Sequence, residues 1–406
     1  MERRAFLAAG AALVTSWRAR SGGRPPRPGR PAVPDWQGGE APGLPAEVFA
    51  RRLARAQREL AARGWALFLA TPSANYQYLA GDNPGRSERL IALLVPATGA
   101  PVVVGPDFEV ERLRRHGAVA DVRGWEEQQD PYRLVRDTVR SLAPAPGVLA
   151  LEPSTTYETY QRLAGALPEW RFVDAAPVTE RLRLVKSAEE VALIRQAIAI
   201  TQAAMAATVA QLAVGMTERD VARVLAREMQ QRGAEGGGLV QFGPASALPH
   251  GGPAATPLAR ETAVLIDCGC RVAGYTSDIT RTVWFGDHPP EEFRRVVAVV
   301  QDAQSAALRL GRPGLPCQAL DRAARRVIAD AGYGRFFTHR LGHGLGLEGH
   351  EPPYLVEGNA TPLEPGMVFT IEPGIYQPGR FGVRIEDDCL MTEAGVAVLS
   401  ERAAPL

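Results

Sequence analysis

The sequence predicts an α+β domain of about 220 residues, preceded by a smaller α/β unit of about 130. Three observations lead there. Helix-type and strand-type segments alternate from residue 46 to about 178. Beyond them come two capped helices, hairpin-forming strands, two more helices, and strands again. The 406 residues, 46% of them hydrophobic, suffice for two ordinary domains with a large core. With 46 Lys plus Arg against 45 Asp plus Glu, there is no electrostatic footprint for nucleic acid. No stretch approaches the roughly 18 apolar residues of a membrane-spanning helix. Four Cys in so long a chain make no disulfide framework, and each reads as a buried free thiol. Lys186 is the only lysine, which reads as compositional bias.

The chain opens Met1-Glu2-Arg3-Arg4-Ala5-Phe6-Leu7 and continues with a small apolar run to Val14. Paired arginines before such a run resemble a twin-arginine export signal over 1–20, although no small-x-small cleavage site precedes Arg18 and Arg20. Export to the periplasm is therefore expected, with the cytoplasm as the alternative. Residues 21–45 hold 7 Pro and 6 Gly, a composition that buries no core and reads as a linker.

The α/β unit, 46–178, starts with a helix over Ala46–Ala62 that stripes Phe49, Leu53, Ala56 and Leu60 on one face. Strand signals follow at Ala66–Leu69, Leu90–Val95, Val102–Val104, Val148–Leu151 and Arg171–Val173, with a helix over Thr156–Leu167. No nucleophile elbow, phosphate loop or metal spacing occurs in this unit. In the second domain, 179–406, Ser187 with Glu190 makes a capping box for a long helix, and Thr217 with Asp220 opens another that Gly233 ends. Strands dominate 238–285 and return from Met367 to Met391, with two helices over roughly 290–332.

The chemistry-bearing residues lie in these strands. Val264-Leu265-Ile266-Asp267 ends an apolar run on an acid, which is costly without a charged partner. A hairpin turning around Val272 and Ala273 would set Asp267 opposite Asp278, and a turn centred on Gly379 would set Glu372 opposite Glu386. Like charges side by side destabilise a sheet, so something positive must hold them. Between the hairpins runs His339-Arg340-Leu341-Gly342-His343-Gly344, ending at His350-Glu351, with glycines that let backbone approach a site closely. Taken singly, these residues are ordinary turn aspartates, loop histidines and surface glutamates. Jointly that fails, because the acids sit in or beside apolar strands and fall in facing pairs. Four carboxylates and an imidazole suit two divalent cations at the spacing of two-metal hydrolases. Hard ligands favour manganese, with cobalt, zinc or iron as alternatives.

These residues resemble the pita-bread metallopeptidases, which include Xaa-Pro aminopeptidases, prolidases and methionine aminopeptidases, with creatinase as a metal-free relative. The resemblance runs from about residue 47 to the C-terminus. It rests on Tyr275-Thr276-Ser277-Asp278-Ile279-Thr280-Arg281-Thr282, on His339 through His350, and on Glu372-Pro373-Gly374-Ile375-Tyr376. It implies a pita-bread catalytic domain behind a creatinase-like N-terminal domain, with Asp267, Asp278, His343, Glu372 and Glu386 as metal ligands. Asp278 and Glu386 would bridge both ions, and a hydroxide between the ions would be the nucleophile. Glu372 would shuttle its proton, His350 would steady the oxyanion, and His250 would approach the bound peptide. Arg384 would hydrogen-bond near the metals or substrate. His339 could serve either the site or loop packing, while Tyr275 and Thr280 would orient the second-aspartate strand. The extra N-terminal unit points to the Xaa-Pro branch and to a homodimer acting on short peptides with proline second. The same fold and metals could instead serve a non-peptide substrate, through a lyase or an organophosphate-type hydrolase, or an inactive binding module.

Overall fold

The computed structural model describes residues 43–249, 251 and 255–403. The expected export signal and residues 21–42 of the linker lie outside the described residues. Contacts divide the chain into two units, Gly43–Leu184 and Val185–Leu406.

The N-terminal unit is a six-stranded mixed sheet with helices. Helix α1 (Ala46–Ala62) buries Val48, Phe49, Ala56 and Leu60, close to the expected stripe. Strand β1 (Leu67–Ala70) leads to α2 (Ala74–Ala80), whose first turn is capped by Ser73 accepting from the Tyr76 amide. Strands β2 (Ala92–Pro96) and β3 (Val102–Pro106), helix α3 (Val110–His116) and strand β4 (Asp121–Trp125) follow. Helix α4 (Pro131–Leu142) is capped by Asp130 with Pro131 in its first turn. Next come β5 (Val148–Leu151), α5 (Tyr157–Ala166), β6 (Arg171–Asp174) and α6 (Ala176–Leu184). The sheet order is β4-β3-β2-β1-β5-β6, and Leu67, Leu94, Val104 and Leu149 form its fully buried centre. Helix α6 stays with this unit because Tyr78 donates to Leu182 O at 2.9 Å and Arg183 to Asn75 Oδ1 at 3.0 Å. The division thus falls six residues beyond 178.

The second unit opens with α7 (Ala188–Val209) and α8 (Glu218–Gln231), both starting with the expected capping boxes. By length and composition, α7 is the one described helix long and apolar enough to cross a membrane. That corrects the expectation of no such stretch. Its Leu193, Ile194, Ala197, Ile198, Ala204 and Met205 are buried, so here it serves as a core helix.

Strands β7 (Glu235–Phe242), β8 (Thr262–Val272), β9 (Tyr275–Thr276) and β10 (Ile279–Phe285) form one sheet, with β8 central. Helices α9 (Glu291–Leu310) and α10 (Cys317–Asp330) pack on each other. A second sheet joins β11 (Gly342–Gly344), β12 (Glu351–Leu355), β13 (Val368–Ile371), β16 (Asp387–Thr392) and β17 (Gly395–Val398) in the order β12-β11-β13-β16-β17. A two-stranded ribbon, β14 (Gly374–Gln377) with β15 (Phe381–Arg384), lies in sequence between β13 and β16. All four cysteines are buried and unpaired.

Candidate active site

Two strand registers build the site. In the first hairpin Val272 pairs with Tyr275, so the turn is Ala273-Gly274, with φ of 49° and 86°. Positive φ at both central residues gives the tight two-residue turn that matches strand twist. The expected turn at Val272-Ala273 is therefore corrected, and Asp267 faces Thr280 instead of Asp278. Residues two apart share a face, so Asp278 still projects beside Asp267 as a diagonal neighbour. The other register falls where expected. Ile371 pairs with Asp387 and Gly374 with Arg384, so the intervening Glu372 and Glu386 face each other across the gap between ladders.

The histidine strand enters between them. Buried Asp321 accepts the Leu341 amide at 3.0 Å and is itself gripped by Arg325, which also donates to the carbonyls of Phe337 and His339. Glycine is needed on both sides of His343. A Cβ at Gly342 would stand 2.0 Å from Thr370 O, and one at Gly344 would stand 2.3 Å from Pro352 O.

Donor atoms converge in three overlapping groups, each spanning no more than 4.8 Å: Asp267, Asp278 and Glu386; His343, Glu372 and Glu386; Asp278, His343 and His350. All five expected ligands thus come together, and Asp278, His343 and Glu386 are each shared between two groups. His350 also comes within reach, its ring centroid 3.9 Å from that of His343. Arg340 Nη2 donates to His350 Nδ1 at 3.3 Å, so Nε2 is the ring nitrogen left to donate. His250 lies outside the described residues.

The electrostatics of the pocket define what it can hold. Burial, then the charge of Glu386, pushes both Asp278 and Glu372 well above the usual carboxylate range. Burial and Asp267 push Glu386 up to about 7. Burial and the neighbouring His350 push His343 down to about 3, so its ring is neutral. His343 Nδ1 donates to Gly344 O at 3.1 Å, leaving the Nε2 lone pair facing Glu372 Oε1 at 3.4 Å and Asp278 Oδ2 at 3.8 Å. A lone pair set against carboxylate oxygens is the arrangement that a cation between them resolves, so the residues fit divalent metal ions.

Arg384 supplies part of the positive charge. Its Nη2 lies 2.5 Å from Asp267 Oδ2, its Nε donates to Thr280 Oγ1 at 3.2 Å, and its Nη1 donates to Tyr376 OH at 2.8 Å. Burial opposes its charge, but Tyr376, Asp267, Glu386 and Glu372 outweigh that and hold its pKa above the ordinary guanidinium value. Thr280 in turn donates to Glu386 Oε2 at 2.6 Å. His339 joins through Tyr376, whose hydroxyl sits 2.8 Å from His339 Nε2. Tyr275 ties its strand to α7 by donating to Glu190 Oε1 at 2.9 Å.

Several supporting residues escaped the sequence reading. Asp388 Oδ2 accepts the Asp278 amide at 3.0 Å, and Arg281 donates to Glu386 O at 2.5 Å and to Asp387 Oδ1 at 2.7 Å. Glu386-Asp387-Asp388 looks like a solvated charge run, yet Asp387 and Asp388 are fully buried. The apolar residues that follow, Cys389-Leu390-Met391, were the available sign of a core strand.

Residues 192–393 match Metallopeptidase family M24, and residues 52–185 match the Creatinase/Prolidase N-terminal domain. The chain is 40% identical over 359 residues to a protein of Mycobacterium bovis named probable dipeptidase PepE, covering 86% of this chain and 94% of that one. Among solved structures, a prolidase from Thermococcus sibiricus aligns with a TM-score of 0.83 at 32% identity, over 88% of this chain and 98% of that one. An X-Pro aminopeptidase from Thermotoga maritima aligns with a TM-score of 0.79 at 32% identity, over 86% and 98%.

Proposed function

Because the chain belongs to metallopeptidase family M24, we propose that it hydrolyses the bond between an N-terminal residue and a following proline in short peptides, using two divalent ions. It is a peptidase with the pita-bread catalytic domain behind a creatinase-type N-terminal domain. The observation that carries the proposal is the overlap of the three donor groups, which Asp278, His343 and Glu386 join by each belonging to two of them. Asp267, Asp278, His343, Glu372 and Glu386 would hold the ions, and the carboxylates among the shared residues, Asp278 and Glu386, have two oxygens each to offer. The names dipeptidase, prolidase and X-Pro aminopeptidase among the relatives support the substrate class.

When bound, the ions, manganese first among the candidates, acidify water and polarise the scissile carbonyl. The remaining work falls to the chain. Glu372 takes the proton of the attacking water and returns it to the departing imino nitrogen. His350 donates from Nε2 to the carbonyl oxygen as negative charge develops there. Arg384 and Thr280 hold Asp267 and Glu386 in place. A bond to proline has no N–H for an enzyme to grip, so recognition must come from the pocket walls and from His250. Export through Arg3-Arg4 and assembly as a homodimer complete the proposal.

The test is hydrolysis of Gly-Pro, Ala-Pro and Ala-Pro-Ala by metal-stripped protein, with and without manganese. Manganese-dependent cleavage of the tripeptide makes it an aminopeptidase, and cleavage of dipeptides alone makes it a prolidase. No cleavage by metal-loaded protein refutes the proline reading.

A further inference from the structure

Lys186 and Glu351 form an ion pair, Nζ to Oε1 2.8 Å, with side chains only 1% and 2% exposed. Removing both charges from water is costly, and an apolar pair of similar volume often stabilises as well or better. A pair kept under those terms invites the question of what it holds in place.

Its contacts run to the turn that carries His350. Glu351 opens β12 directly after His350 and pairs with Gly344 on the His343 strand. Its Oε2 accepts the Glu348 amide at 3.3 Å, so one carboxylate closes the turn Glu348-Gly349-His350 from both ends. The preceding backbone presses down on the pair. A Cβ at Gly346 would stand 2.8 Å from Glu351 Oε1 and 3.2 Å from Lys186 Cε. Lys186 is itself fixed, since its amide donates to Gly366 O at 2.9 Å and Val185 bridges to Met367. The same loop is tied to the Asp278 hairpin by Thr276 N to Gly346 O at 2.8 Å and by Arg271 Nη1 to Leu347 O at 2.8 Å. Where every other Lys-or-Arg position in the chain is arginine, this spot takes the compact ammonium.

We propose that Lys186 is a positioning residue for the reaction: through Glu351 it locks the 348–350 turn so that His350 stays beside His343. The catalytic consequence rests on the role given above to His350, while the locking of the turn does not.

The test uses the full manganese-loaded chain and compares Lys186→Met with the double variant Lys186→Met/Glu351→Leu. The double variant removes both charges, so it avoids the unpaired acid that could unfold the single one. The expected result is a double variant with wild-type Tm and metal content, in which kcat on Ala-Pro falls 10- to 100-fold, on the order seen when outer partners of metal sites are lost, while KM stays within about twofold. Hydrogen exchange at amides 345–350 should rise in parallel. A merely structural pair would give wild-type kcat per metal-loaded molecule, and that result, or unchanged exchange in 345–350, overturns the proposal. If the wild-type protein cleaves no Xaa-Pro peptide, the functional reading fails by itself. Exchange then decides alone, with faster exchange supporting the lock and unchanged exchange refuting it.

Discussion

Metal-stripped protein should lose stability as the pH rises toward 8, and the size of the loss can be worked from the site. Glu386 is raised to about 7 from an ordinary 4.5, chiefly by burial and next by Asp267. The folded chain therefore keeps a proton that the unfolded chain has released. The associated stability is complete below the unfolded value and disappears as pH climbs through 7. A gap of this size, at about 1.4 kcal/mol per unit, amounts to roughly 3 kcal/mol. His343 has the opposite sign. Burial, then His350, lowers it to about 3 from 6.5, so its contribution is full above 6.5 and is lost as pH falls through 3. Between 4.5 and 6.5 the two nearly cancel, which leaves roughly 1 kcal/mol of loss from Glu386 between 6.5 and just above 7. Asp278 and Glu372, raised by burial and by Glu386, carry the same sign as Glu386.

Scanning calorimetry of stripped protein from pH 6.5 to 8 should therefore show Tm falling by about 2–4 °C for a domain of this size. Glu386→Gln removes one titration and should flatten the slope, which separates the site from the background charge of the chain. With manganese present the slope should reverse, because protons and cations compete for the same oxygens. A stripped protein whose Tm is flat or rising over that range, with Glu386→Gln no different, would refute the reasoning.

Glu372→Gln should lower kcat on Ala-Pro by about 10²–10⁴-fold with little change in KM, checked by steady-state kinetics on folded protein. Arg384→Lys keeps a charge but loses the fork that joins Asp267, Thr280 and Tyr376, so metal affinity or kcat should drop by about 10–100-fold in metal titration and kinetics. Replacing Arg3 and Arg4 by lysine should leave the protein in the cytoplasmic fraction of an expressing bacterium, whereas unchanged periplasmic recovery would end the export reading.

The local grammar of the sequence carried much of the architecture. Capping boxes at Ser187 and Thr217 and the periodicity of α1 stand in the structure as read, because each depends on neighbours within a turn or two. The Asp267–Asp278 pairing shows where that grammar stops. Ala273 carries positive φ without being Gly, Asn or Asp, so the turn was assigned one residue too early. The error did not scatter the site, because sliding the register by two residues leaves both acids on one face. The contacts of Asp388, Arg281 and Tyr376 were illegible for another reason. Asp388 reaches Asp278 across 110 residues and Arg281 reaches Asp387 across 106, and no local spacing encodes such meetings. Lys186 reads as a compositional accident in the sequence because its partner lies 165 residues away.

That solitary lysine also makes the protein its own unfolding gauge. An endoproteinase that cuts only after lysine has one possible target in the whole chain, and in the native state the target side chain is 1% exposed. It sits two residues past the end of α6, next to the junction between the two units. Each cut would release one pair of fragments of fixed size, dividing the chain almost at its domain boundary. Where opening and closing outpace cleavage, the appearance of that pair follows the population of opened molecules. That fragment pair would then report the opening of the structure around Lys186, with no label or engineered site added.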